Sequence, residues 1–263
     1  MSVKPANMVQ WEEAEIKRSS IEAGLTDLSS FNDTEENLSR YLNPPMNTLY
    51  YLEYSYHLLG DVRGKLVLDY GCGIGDNSLL LARRQAQVYA LDISMDLIKI
   101  AQRRLVRKGV YSGVQFISGS AHEIPLPDES VDVVFGMAVL HHLNLELAAR
   151  EVHRVLKKGG RAIFQEPMRN SKILKWVRAL IPYQAPDVSP YERPLTTAEI
   201  NRFGEAFSKM RSKDFRLPWT GLVDAVPFFS KYERQFFEFD ATLLARYPVL
   251  RYYSTVKVFD LVK

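Results

Sequence analysis

A run of glycines behind a carboxylate is the stretch of this chain with the most chemistry in it. In Val67-Leu68-Asp69-Tyr70-Gly71-Cys72-Gly73-Ile74-Gly75-Asp76, an apolar run meets a stretch of helical character through three glycines at alternating positions. Glycines placed there let the backbone turn sharply and approach a ligand closely, beside a helix N-terminus whose free N–H groups favour anionic atoms. A turn needing glycine only for its backbone angles accounts for one such residue and poorly for three. The dinucleotide fingerprint is G-x-G-x-x-G, its third glycine allowing close packing of helix on strand. Here the spacing is G-x-G-x-G, and Asp76 stands where that third glycine belongs. A carboxylate at Asp69 would repel a pyrophosphate and suits an ammonium group. Asp92, 21 residues beyond Gly71, ends the apolar run Val88–Leu91 and is placed to accept hydrogen bonds from both hydroxyls of a ribose. The pattern asks for a ligand with a ribose and a cationic amino-acid end.

Two more segments carry ionisable groups: Val139-Leu140-His141-His142 and Gln165-Glu166. Each follows or ends an apolar run, so a parallel sheet brings both to one crevice beyond its carboxyl edge. A histidine oriented by a carboxylate is a competent base near neutral pH. His141, His142 and Glu166 are therefore the candidate catalytic groups. Against this stands a simpler arrangement, in which the histidines open the helix starting at Leu143 and Glu166 is structural. His57 and His153 are weaker candidates, His153 falling within an expected surface helix.

The elements that must position these groups follow from periodicity. Leu66–Tyr70, Gln87–Leu91, Val114–Ile117, Val131–Met137 and Gly160–Glu166 are short, almost wholly apolar runs, whereas Asp76–Gln85, Ser94–Lys108 and Asn144–Lys157 have helical spacing. Alternation of buried strands with helices predicts a parallel sheet covered on both faces. Residues 1–64 are helical in character, with Gly60 a C-cap after Leu49–Leu59. After Glu166 five prolines (Pro167, Pro182, Pro186, Pro190 and Pro194) exclude one continuous helix. A helical piece at Lys172–Ile181 and another from Thr196 suggest an insertion over the sheet, and Tyr252–Val262 alternates loosely, as a strand does. The aromatic residues after Val226 (Phe228, Phe229, Phe236, Phe237, Phe239, Tyr252 and Tyr253) are expected to be core beneath that strand rather than a docking surface.

Composition narrows the class. The 263 residues include 34 Lys+Arg and 31 Asp+Glu, a net charge of +3 with no basic stripe of the kind nucleic-acid binding requires. No apolar run approaches the ~18 residues of a membrane span. The first fifteen residues lack the apolar stretch of a signal peptide. Cys72 is the single cysteine, which permits neither an intrachain disulfide nor a cysteine-based metal site, and no metal is expected. A cytoplasmic protein, monomeric or dimeric, is the expectation.

At this point the chain resembles the class I S-adenosylmethionine-dependent methyltransferases. Leu68–Gly75 resembles their first motif, Ala90–Ser94 the second, Gly119–Pro127 with Val131–Phe135 the third and fourth, and Glu151–Arg161 the stretch before the fifth strand. These matches are correctly ordered over roughly residues 40–166. The resemblance implies an α/β fold, a doubly wound Rossmann-like sheet of seven mostly parallel strands, with N-terminal helices and a helical lid inserted before the last strands. Residues 1–64 would be a helical part of the same domain, 65–166 the cofactor-binding core, 167–250 the substrate lid and 251–263 the terminal strand.

It also implies roles. Asp69 would lie near the methionine ammonium, Gly71 and Gly73 would give backbone approach within a loop where Cys72 packs, and Asp92 would hold the ribose. Ile93 would cover an adenine face, Ser120, Ala121 and His122 would meet the adenine edge, and Gly136 and Met137 would line the methionine end. Apart from the resemblance, Tyr41, Tyr50, Tyr51 and Tyr54 offer rings that could close over the sulfonium by cation–π contact; their helical spacing favours core packing for most, and Tyr41 is the one expected at the lid. Relatives often have an acid at position 120, where Ser120 is a weaker acceptor. The implied activity is in-line methyl transfer to the O, N or C of a small-molecule acceptor, leaving S-adenosylhomocysteine. Met137-Ala138-Val139-Leu140 stands where relatives methylating amines of bases or proteins have Asn-Pro-Pro-Tyr. Alternatives are a nicotinamide-dependent oxidoreductase, which needs the glycine missing at Asp76, and a catalytically silent S-adenosylmethionine-binding module.

Overall fold

The computed structural model describes residues 6–27, 34–110, 112–171, 193–220, 228 and 231–263. Five strands run parallel: β1 (Leu66–Tyr70), β2 (Gln87–Asp92), β3 (Val114–Ser118), β4 (Val131–Met137) and β5 (Leu156–Pro167). Two more, β6 (Lys209–Phe215) and β7 (Val256–Val262), add antiparallel, completing a seven-stranded sheet of order β3-β2-β1-β4-β5-β7-β6. The helices are α1 (Ala6–Leu25), α2 (Glu35–Leu42), α3 (Tyr51–Leu59), α4 (Asp76–Arg83), α5 (Met95–Arg107), α6 (Leu145–Val155), α7 (Thr197–Gly204) and α8 (Glu233–Arg246).

The apolar strands are continuous in sequence because both sheet faces are buried. Side chains alternate across the sheet. Val67, Val133, Phe135 and Ile163 meet Tyr56 and Leu59 of α3, Leu79 and Leu81 of α4, and Ile98 and Leu105 of α5. Leu68, Val134, Ala162 and Phe164 meet Val152 and Val155 of α6 and Phe203 of α7. Helix starts are fixed locally. Ser94 accepts from the Leu97 N–H and Asn144 from those of Glu146 and Leu147, while Thr196 and Glu199 form a reciprocal capping box. Strand order reverses at β1, which lies between β2 and β4, so the loops leaving β1 and β4 diverge and open a crevice.

The structure differs from the sequence reading along the last third. The span 167–250, expected as an insertion, contains β6 of the main sheet. This edge strand, with Lys209, Arg211, Lys213 and Asp214, has its buried apolar anchor at Phe215. Exposure of one edge lets charge replace the apolar alternation by which strands are recognised. At the chain end, β7 begins at Val256, and Tyr252 and Tyr253 lie in a 3-10 turn, Pro248–Tyr253. The aromatic tail divides. Phe237 is buried against Tyr50, but Phe228, Phe239, Tyr252 and Tyr253 are exposed, contrary to the expectation of core. In α8 the inward stripe is Phe237, Asp240 and Leu244, and that spacing leaves Phe239 outside. Lys172–Ile181 and Phe229 fall outside the described residues.

Candidate active site

Three glycines in the loop after β1 have positive φ, +75° at Gly71, +49° at Gly73 and +85° at Gly75. A Cβ on Gly71 would lie 2.6 Å from Val139, and one on Gly75 2.9 Å from the Ala101 Cβ, so packing against neighbours dictates glycine at both. At Gly73 nothing lies within 4 Å, which leaves the loop open on one side. The loop is tied to the end of β2: the Gly71 and Cys72 N–H groups donate to the Leu91 carbonyl at 2.9 and 2.8 Å. The Asp92 carboxylate accepts from the Gly73 and Ser94 N–H groups, each at 2.8 Å. Burial raises the Asp92 carboxyl above its ordinary pKa, while these two donors pull it down.

A cleft opens beside this junction. From the sheet it is lined by Gly71, Asp92, Ile93, Ser120, Ala121, His122, Val139 and His142. Its roof is α1, which contributes Trp11, Glu12, Glu15, Arg18 and Ser19. Ser120 Oγ donates a short hydrogen bond to Glu12 and accepts from the His122 N–H at 3.0 Å. His122 Nε2 accepts from the Asn144 N–H at 2.9 Å, which puts the ring proton on Nδ1, 3.4 Å from Glu12. Glu15 lies 3.3 Å from His142 Nδ1, and the Trp11 indole donates to the His142 carbonyl at 2.7 Å. Roofed in this way the cavity holds about 80 Å³, against roughly 300 Å³ or more for a pocket that takes a small ligand.

None of these α1 residues emerges from periodicity. α1 turns polar side chains inward and leaves Ile16 exposed, so it carries no apolar stripe. The available signal was the spacing of Trp11, Glu12, Glu15, Arg18 and Ser19, which share one helical face.

Beyond β4 the chain makes a 3-10 turn, Leu140–His142. Glu166, fully buried at the end of β5, holds that turn. Its Oε1 accepts from the Val139 and Leu140 N–H groups at 2.9 and 2.7 Å, and its Oε2 sits 2.8 Å from His141 Nδ1. The two histidines part company here: His142 lines the cleft, whereas His141 is buried against Glu166, with the two rings 4.1 Å apart.

The remaining residues singled out by sequence lie outside that cleft. Asp69 is fully buried, accepting from Ser78 Oγ at 2.5 Å and Asn77 Nδ2 at 3.4 Å, and burial pushes its carboxyl up to about 7. Tyr41 packs on Tyr56, and its burial raises the pKa of its hydroxyl. Gly136 is glycine because a Cβ would meet Phe164 at 2.7 Å, and Met137 packs against the core of that face. Cys72 is buried, which pushes its thiol well above the usual range.

Residues 68–164 match the family described as methyltransferase domain. Over 123 residues the chain is 35% identical to a fatty-acid O-methyltransferase of Mycolicibacterium smegmatis, covering 46% of this chain and 43% of that protein. Over 125 residues it is 33% identical to a ubiquinone/menaquinone biosynthesis C-methyltransferase of Azotobacter vinelandii, covering 46% and 49%. The chain thus spans less than half the length of either relative. Among solved structures, geranyl diphosphate C-methyltransferase from Streptomyces coelicolor shares the fold, with a TM-score of 0.60 at 15% identity over 96% of this chain and 97% of that one.

Proposed function

We propose that the chain, whose residues 68–164 match a methyltransferase domain, is of the class I S-adenosylmethionine-dependent type and transfers a methyl group from S-adenosylmethionine to a small-molecule acceptor. The observation that carries this is Asp92, a carboxylate fixed by two backbone N–H groups at a cleft that continues past Ile93 to Ser120, Ala121 and His122. Those residues fit an adenosine: acceptors for the ribose hydroxyls, an apolar face for the base, and polar groups at its edge. When bound, S-adenosylmethionine supplies a sulfonium methyl with its own leaving group, so the protein's tasks are alignment and exclusion of water.

The chain's own residues divide those tasks. Asp92 holds the ribose, Gly73 offers close backbone approach, and Gly71 with Cys72 anchors the loop. Asp69, Tyr41, Gly136 and Met137 surround the methionine end. His142, facing the cleft with Glu15 beside its Nδ1, removes a proton where the acceptor carries one. His141 and Glu166 act as positioning residues that hold the Val139–His142 backbone. α1 lifts to admit the cofactor and closes to exclude water. Among the described residues no helix is long and apolar enough to cross a membrane. Our reading has a small molecule rather than a nucleic acid as partner, in the cytoplasm.

Calorimetric titration with S-adenosylhomocysteine, run beside NADH on the wild type and Asp92→Ala, tests the reading. Binding of S-adenosylhomocysteine that weakens roughly 10-fold or more in the variant is expected. Binding of NADH alone would overturn it. Methyl transfer to a panel of carboxylate and quinol acceptors then distinguishes an enzyme from a silent binder.

A further inference from the structure

Resting on the adenosine site just proposed, we infer that Glu12 of α1 reads the exocyclic amino group of the purine, so the roof helix supplies the specificity for adenine. The geometry runs outward from Asp92. In the register of β2 with β3, Asp92 pairs with Ser118, and the Gly119 N–H donates to the Asp92 carbonyl at 2.9 Å. A ribose on the Asp92 carboxylate therefore sends its base across Ile93 and along Gly119 to His122. The base edge then faces Ser120 and, above it, the Glu12 carboxylate, whose side chain is 15% exposed.

What that edge meets is acceptor-rich. The Ser120 hydroxyl is oriented by its own bonds, accepting from His122 N–H and giving its proton to Glu12. The His122 Nδ1 proton also points to Glu12, since Nε2 is committed to the Asn144 N–H. These donors fix the carboxylate without exhausting it, because an ionised carboxylate has about four lone-pair sites. An amino group fits; a purine without it brings no donor from that position, and sites built for a hydrogen bond reject ligands that cannot make it.

An alternative role for Glu12 is only to dock α1, and the two roles part experimentally. Wild type, Glu12→Ala and Glu12→Gln are titrated with S-adenosylhomocysteine and with its purine-riboside counterpart, which lacks the 6-amino group and keeps N1 as an acceptor. Wild type is expected to prefer the adenosine ligand by roughly 10- to 100-fold. Glu12→Ala should bring that ratio close to one, and Glu12→Gln, which keeps a weaker acceptor, should fall between. A docking role weakens both ligands equally and leaves the ratio unchanged, and that result would overturn the inference. The ratio is measured within one variant, so a partly folded sample does not alter it. If wild type binds neither ligand, the adenosine site itself is wrong and the inference falls with it; if wild type binds and the ratio survives in Glu12→Ala, only the inference falls.

Discussion

Two carboxylates buried beneath the crevice and two carried by its roof live in opposite surroundings. On the floor, Asp69 and Glu166 belong to strands of the sheet, are fully buried, and spend their oxygens on neighbours in the fold. In the roof, Glu12 and Glu15 come from α1, more than 100 residues distant in sequence from the groups they meet, Ser120 and His122 for Glu12 and His142 for Glu15. A carboxylate whose oxygens are taken up inside the fold, as at Asp69 and Glu166, shapes the site, whereas that of Asp92 opens onto the cleft. One delivered by a separate helix touches the cleft and can leave with that helix. Residue type alone does not separate these roles; the element that carries the residue does.

The largest expected break in this contrast is Glu166→Ala. It strips acceptors from buried N–H groups at Val139 and Leu140 and from His141, and should cost about 3–5 kcal/mol of stability. Urea unfolding with an unchanged m value checks this. A loss below about 1 kcal/mol would mean the turn holds itself.

Asp69 sharpens the contrast through pH. Its folded pKa of about 7 lies above the ordinary value of 3.8, so between those values the folded state binds more protons than the unfolded one. Stability from this group is therefore greatest in acid and declines as pH rises toward 7, by an amount on the order of a few kcal/mol. Unfolding at pH 5 and pH 8 should show the decline in wild type and a flatter response in Asp69→Asn. Equal slopes would place the Asp69 carboxyl in a wetter setting than its burial indicates.

The smallest effect on stability belongs to the roof. Glu15→Gln should cost about 1 kcal/mol or less yet lower kcat on the order of 10- to 100-fold, with the cofactor KM little changed, because its partner His142 loses orientation. A stability loss matching that of Glu166→Ala would make Glu15 a fold residue like those of the floor.

Much of the floor was legible. Apolar runs ended by Asp69 and Asp92 marked β1 and β2, and the three glycines marked the turn between β1 and α4, because buried strands and positive-φ turns restrict residue type locally. Less legible were elements whose faces are not apolar. β6 escaped because an edge strand tolerates Lys209, Arg211 and Lys213, and so did the face that α1 turns to the cleft, because it is polar. Tyr41 shows the opposite case. Its ring rests on Tyr56, outside the roofed cleft, a placement that its residue type does not encode.

The sequence by itself determined the five parallel strands, their switch point and the acid at the end of β2, since each is set by a short pattern of burial or backbone conformation. Only the tertiary structure decided that His142 faces the cleft while His141 is locked behind it. Adjacent residues differ in surroundings through the turn that Glu166 imposes from another strand. The pairing of Glu12 with Ser120 and His122 is likewise a contact between distant segments, fixed by where α1 packs. Nothing in the local chemistry of either segment encodes the other's position.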